Sequence, residues 1–176
     1  MRTVVVLAAS LLSAGALVAT SAAGQTAETA AVTRAPSLED LLLRQINDVR
    51  AAHGLGTLTI SPALARSAAA HSRSMATYGY FAHTSRDGAS FSERIRRSYA
   101  PRSGAWTVGE NLAMFGSAAP TPVAIVDAWL ASPPHRANLL RGTFREAGIG
   151  IMFNDAAGGV FGGQSTWIVT LDFGRR

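Results

Sequence analysis

The chain of 176 residues contains no cysteine and no lysine. Without cysteine there is no disulfide framework, no thiolate metal cluster, no cysteine nucleophile and no lipid-modified cysteine. Charged residues make up only 15% of the chain and aromatics 7%, against 48% hydrophobic residues. A disordered chain needs the opposite balance, few apolar residues and high charge. All sixteen basic residues are arginines, and their longest runs are pairs, Arg96-Arg97 and Arg175-Arg176. The net charge of +5 is therefore spread thinly. It leaves room for weak attraction to anionic surfaces but forms no clustered basic face, so nucleic acid is not an expected partner.

What is present begins with an apolar run from Val4 to Ala19 behind Arg2, closing on Thr20-Ser21-Ala22-Ala23. Small residues at Ser21 and Ala23 suit a signal peptidase, so residues 1–23 read as a secretory signal. The alternative is an uncleaved anchor, but the run is shorter than the ~18 apolar residues that a span needs. The expectation is a secreted protein, extracellular or periplasmic, monomeric and with no transmembrane anchor after cleavage. Cleavage leaves 176 − 23 = 153 residues, one domain able to bury roughly two-thirds of its surface.

Residues 24–36, rich in Ala and Thr and without apolar period, read as a flexible linker before a domain over 37–176. Ser37 is a candidate helix cap, with Leu38, Leu41, Leu42, Gln45, Val49 and Ala52 at helical spacing and Gly54 as the stop. Ser61-Pro62 opens a second helix bearing Leu64, Ala68, His71 and Met75 and ending at Gly79. Ser90 and Glu93 form a capping box for a third, with Phe91 and Ile95 inward. Trp106 to Phe115 reads as irregular. Thr121-Pro122 starts a fourth helix with Val123, Val126, Trp129 and Leu130 inward, and Ser132-Pro133-Pro134 ends it. Gly148 to Phe153 and Thr166 to Phe173 read as strands around a turn at Asp155 to Gly159. In the second strand Trp167, Val169, Leu171 and Phe173 share one face. Helices first and a hairpin last imply an α+β layered domain.

Four histidines are candidates for chemistry. His53 ends the first helix, where the dipole favours it, and His71 lies on an apolar helix face. His83 and His135 lie instead in loop contexts, Tyr80-Phe81-Ala82-His83-Thr84-Ser85 and Ser132-Pro133-Pro134-His135-Arg136, where functional residues concentrate. Glu110 is the carboxylate without a local explanation, since Val108-Gly109 and Leu112-Ala113 flank it. It is either a buried acceptor of backbone N–H groups or a cleft carboxylate facing a histidine or a metal.

Several segments together carry a likeness. They are Leu43-Arg44-Gln45-Ile46-Asn47-Asp48-Val49-Arg50, His71-Ser72-Arg73-Ser74-Met75, Gly79 to Ser85, Gly109-Glu110-Asn111-Leu112-Ala113, Ala128 to Asn138, Gly148-Ile149-Gly150 and Thr170-Leu171-Asp172-Phe173-Gly174. In this order and spacing the chain resembles the bacterial secreted (SCP-like) branch of the CAP superfamily: cysteine-rich secretory proteins, antigen 5 and pathogenesis-related 1 proteins. The resemblance runs from about Leu38 to Gly174. It implies a three-layer α-β-α sandwich with a central, mainly antiparallel sheet and a surface cleft. It places the cleft histidines at His83 and His135 and a glutamate at Glu110. The second glutamate of the eukaryotic pattern falls on Ser132, and Asp127 is on another helical face. The implied cofactor is a divalent metal such as zinc, weakly bound because two imidazoles are a loose site. The implied function is a cleft that takes a small or lipidic ligand, or a peptide partner. The rival reading is a metal-dependent hydrolase in which Glu110 serves a bound water and Asn111 or Ser132 donates hydrogen bonds. A serine hydrolase is disfavoured, because no Gly-x-Ser-x-Gly is present.

Overall fold

The computed structural model describes residues 31–102 and 106–176. The expected signal segment 1–23 lies outside them. Among the described residues no helix is long and apolar enough to cross a membrane.

The elements follow one another as β1 (Val32–Arg34), α1 (Pro36–Ala52), β2 (Thr59–Ile60), α2 (Pro62–Tyr78), α3 (Phe91–Arg96), β3 (Thr107–Phe115), α4 (Pro122–Ala131), α5 (Pro133–Leu139), β4 (Glu146–Ala157) and β5 (Gln164–Arg175). The sheet runs β1-β4-β5-β3 and is antiparallel throughout, with β2 parallel to β4. Side chains alternate across it. Ala147, Ile149, Ile151, Val169, Leu171 and Phe173 face α1 and α4, where they meet Leu42, Ile46, Ile125, Val126 and Trp129. Leu112, Met152 and Ile168 face α2 and pack on Met75 and Ala76. Two helical layers thus enclose the sheet, giving the α-β-α sandwich.

Two glycines set the spacing of the α2 layer. A Cβ on Gly148 would stand 2.0 Å from the Leu64 carbonyl carbon, and one on Gly150 would stand 2.4 Å from Ala69 Cα. The helix backbone lies directly on β4 there, and only hydrogen side chains admit it.

Several local expectations are corrected. Residues 24–36 are not a linker throughout, because Val32–Arg34 pairs with β4 as an edge strand. The first helix begins at Pro36 without a side-chain cap. Glu39, in its first turn, is buried, pairs with Arg34 at 2.7 Å and accepts the Ile151 N–H at 3.0 Å. Trp106 to Phe115 is not irregular, since Thr107–Phe115 is a nine-residue strand paired with β5 along its length. Its polar Glu110 and Asn111 broke the apolar alternation, and tertiary partners satisfy both. On α4, Val123 is half exposed and Ile125 takes the inward place. The strand before the final turn runs on to Ala157, and a 3-10 turn at Gly159–Phe161 follows. By contrast, the Ser90–Glu93 capping box and the Thr121 cap both form.

Candidate functional site

The site straddles β3, the edge strand of the sheet. Alternation sends Glu110 toward the α2 face and its neighbour Asn111 toward α5. His83 reaches Glu110 from the loop after α2, and His135 arrives on α5 from the other side. Gly79 makes the first approach possible, because its left-handed backbone (φ 68°) ends α2 and turns the chain toward Tyr80 and His83. Asn111 and Asn138 secure the second. Asn111 Nδ2 donates to the His135 carbonyl at 3.0 Å, while Asn138 donates to Asn111 Oδ1 at 2.9 Å and to the Glu110 carbonyl at 3.2 Å. Arg50, fully buried in α1, donates to the Leu139 carbonyl at the end of α5 at 2.7 Å. A cation there also meets the negative end of that short helix.

The structure brings His83, Glu110 and His135 together. His83 Nδ1 lies 2.7 Å from Glu110 Oε1, and the two imidazole centroids are 6.4 Å apart. The Glu110 side chain is wholly buried, whereas that of His83 is 49% exposed. A carboxylate accepts, so His83 donates through Nδ1 and turns its Nε2 away from Glu110. Burial, and then the neighbouring His83, lowers the His135 pKa below the ordinary histidine value. His135 is therefore neutral near pH 7.

Sequence reasoning missed the partner of the second Glu110 oxygen. Arg94 Nη2 donates to Oε2, and Nη1 donates to the His83 carbonyl at 3.1 Å and to Ser85 Oγ at 2.8 Å. One guanidinium thus ties the glutamate to the His83 loop. In the sequence Arg94 follows the capping Glu93 and reads as helix surface, yet it is buried. Asp172 was missed as well. It is the β5 partner of Glu110, fully buried, and neither of its carboxyl oxygens has a hydrogen-bond partner. Burial, followed by the Glu110 charge, pushes its pKa well above the usual carboxylate range, against the opposing pull of Ser67 and Arg94. Asp172 therefore holds its proton. An acidic residue between Leu171 and Phe173 in a strand was the available signal.

His71 does pack on α2 as a buried residue, with Nε2 donating to the Ala82 carbonyl at 2.9 Å. It is nevertheless no bystander, because it lies beneath the cleft within electrostatic reach of Arg94, Glu110 and His83. Burial and Arg94 lower its pKa, and its Nδ1 has no partner. His53 bonds back to the Val49 carbonyl at 2.8 Å, a helix-end role. Ser132 forms the joint between α4 and α5, with its backbone N–H bonded to the Trp129 carbonyl. Asn111, expected with Ser132 as a hydrogen-bond donor in the cleft, donates to the His135 carbonyl.

The donor set tests the implied metal. Among the described residues no group of three or more His, Asp or Glu side chains converges on a metal position. Both Glu110 oxygens are engaged, so it cannot complete the three-ligand set usual for catalytic zinc. Two imidazoles whose ring centroids lie 6.4 Å apart, with a carboxylate behind one of them, are the residues that would hold a divalent ion. In that arrangement the carboxylate orients a ligand rather than binding the ion.

The sequence profile of the CAP, cysteine-rich secretory protein family matches residues 43–173. The uncharacterised protein YkwD of Bacillus subtilis is 35% identical over 138 residues, 74% of this chain and 50% of that protein. An uncharacterised membrane protein of the same organism, YlbC, is 32% identical over 113 residues, 64% of this chain and 31% of that one. The chain thus spans half or less of the length of these curated relatives. Among solved structures, an extracellular protein containing an SCP domain from Bacillus anthracis superposes with a TM-score of 0.62 at 27% identity, covering 80% of this chain and 41% of that one. An outer surface protein from Borrelia burgdorferi superposes with a TM-score of 0.69 at 20% identity, covering 84% and 98%. That likeness concerns the fold alone.

Proposed function

Because the chain belongs to the CAP, cysteine-rich secretory protein family, we propose that it acts outside the cytoplasm as a binding module whose cleft is centred on His83 and His135. The extracellular structural neighbour from Bacillus anthracis supports that location. One observation carries the reading of the cleft: the 2.7 Å contact from His83 Nδ1 to a Glu110 whose other oxygen Arg94 holds. It fixes the His83 tautomer, so that Nε2 stands as an acceptor across from the neutral His135. A divalent ion held there would offer a Lewis-acid position to a donor atom of a small, lipidic or peptide ligand. Glu110 acts as a positioning residue, keeping the imidazole oriented and basic. The hydrolase alternative needs Glu110 to take a proton from water, and the engagement of both its oxygens speaks against that role.

Zinc titration by calorimetry at pH 7.5 tests the proposal. His83→Ala and His135→Ala should each weaken binding at least tenfold while circular dichroism stays that of the wild type. Protonation competes for both imidazoles, so affinity should fall between pH 7.5 and 6. Glu110→Gln should weaken zinc binding about 10–100-fold, as loss of an orienting carboxylate does. Unchanged affinity in a His83→Ala/His135→Ala double variant would overturn the assignment.

A further inference from the structure

A second cavity lies behind the cleft, between α2, the loop after it and α3. Its volume is about 740 Å³, and neither His83, Glu110 nor His135 lines it. That is the size of a small-molecule pocket. Arg66, Ala70, Ser74 and Tyr78 recur every four residues along α2 and line it. This stripe is separate from Leu64, Ala68, Met75 and Ala76, the buried apolar positions of the same helix.

The chemistry of the walls is one-sided. Four arginines line the cavity, Arg66, Arg86, Arg94 and Arg97, against one acid, Asp87. Asp87 is taken by Arg97 at 2.9 Å and Arg94 by Glu110. Among the described residues no carboxylate pairs with Arg66 or Arg86, and the Arg86 guanidinium lies over the Tyr78 ring, 4.2 Å from its centroid. Ser67, His71 and Arg94 also line the cavity, and their Oγ, Nδ1 and Nε atoms are buried without hydrogen-bond partners. Unsatisfied buried polar atoms are costly, and here three of them belong to residues that line one cavity. With Nε2 donating to Ala82, His71 Nδ1 can only accept. The lining thus offers an acceptor beside donors, which suits hydroxyl groups, while the two unpaired guanidinium groups suit an anion.

We propose that this cavity binds an anionic, hydroxyl-rich small molecule, a sugar bearing a carboxylate or phosphate. Arg66 and Arg86 hold the charged group, and His71 and Ser74 meet the hydroxyls. The site is independent of the His83–His135 cleft, and Arg94 is the wall between them.

Calorimetric titration at low salt with glucose 6-phosphate and with glucuronate tests it, with inorganic phosphate and glucose as controls. At least one of the two sugar anions should bind saturably, at least tenfold more tightly than inorganic phosphate, and glucose should not bind measurably. Which of the two binds more tightly tells phosphate from carboxylate recognition. Arg66→Gln and Arg86→Gln, both at exposed positions and with folds checked by circular dichroism, should each weaken binding at least tenfold. His83→Ala should not change it. Absence of saturable binding of both sugar anions would overturn the proposal. So would affinity unchanged in both arginine variants, equal affinity for inorganic phosphate, or loss of binding in His83→Ala.

Discussion

Asp172→Asn should stabilise the protein, and by an amount that grows with pH. The Asp172 carboxyl is fully buried beside Glu110, and its pKa is raised by that burial and by the glutamate charge. In the unfolded chain the same carboxyl ionises near pH 4. Above that pH the unfolded state releases a proton that the native state keeps, so the native state binds more protons and stability falls as pH rises. One proton gives a slope of about 1.4 kcal/mol per pH unit, or roughly 2.7 kcal/mol between pH 5 and 7, as long as Asp172 stays protonated in the fold. Asparagine copies the shape of the protonated acid, but it has no proton to lose. Urea unfolding followed by tryptophan fluorescence, at intervals from pH 4 to 8, gives the two stability curves. They should meet near pH 4 and diverge above it. Other titrating groups are common to both proteins, so the difference curve isolates Asp172. Parallel curves would refute the reasoning, because they would mean that Asp172 ionises in the native state as freely as in the unfolded one. An Asp172→Asn protein less stable than wild type at every pH would show that the fold needs the carboxylate charge itself.

Arg94→Met leaves the wholly buried Glu110 without its cation and should cost about 3–5 kcal/mol in urea unfolding, the usual penalty for breaking a buried pair from one side. His71 is kept neutral by burial and by Arg94, so below its unfolded pKa of about 6.5 the unfolded state binds the extra proton and stability falls with falling pH. His71→Gln, whose amide can still donate to the Ala82 carbonyl, should flatten that acid limb; an unchanged limb would assign it to another group. Gly150→Ala puts a methyl group 2.4 Å from Ala69 Cα, where only backbone can yield, and should lower stability by at least the ~1–3 kcal/mol of ordinary overpacking, read as a lowered melting temperature.

The elements whose signals are local were legible in the residues alone. The Ser90–Glu93 box, the Thr121 cap and the Gly79 stop each act within one turn of backbone, so they are legible without knowing what packs nearby. The motif order also pointed to His83, Glu110 and His135, which sit in segments that the layered fold must bring to one strand edge. What those residues touch depends on how the layers pack. Register places Asp172 opposite Glu110 although the two stand 62 positions apart (172 − 110), and a strand pairing of that range leaves no periodic trace. The same pairing makes Thr107–Phe115 a strand although Glu110 and Asn111 interrupt its apolar alternation. Their polar atoms are satisfied by Arg94, His83, His135 and Asn138, all supplied from elsewhere in the chain. Arg94 reads as surface because one helical turn cannot reveal that a carboxylate from another layer waits beneath it. A buried charge is tolerated only where its partner is, and the location of that partner is a property of the assembled layers.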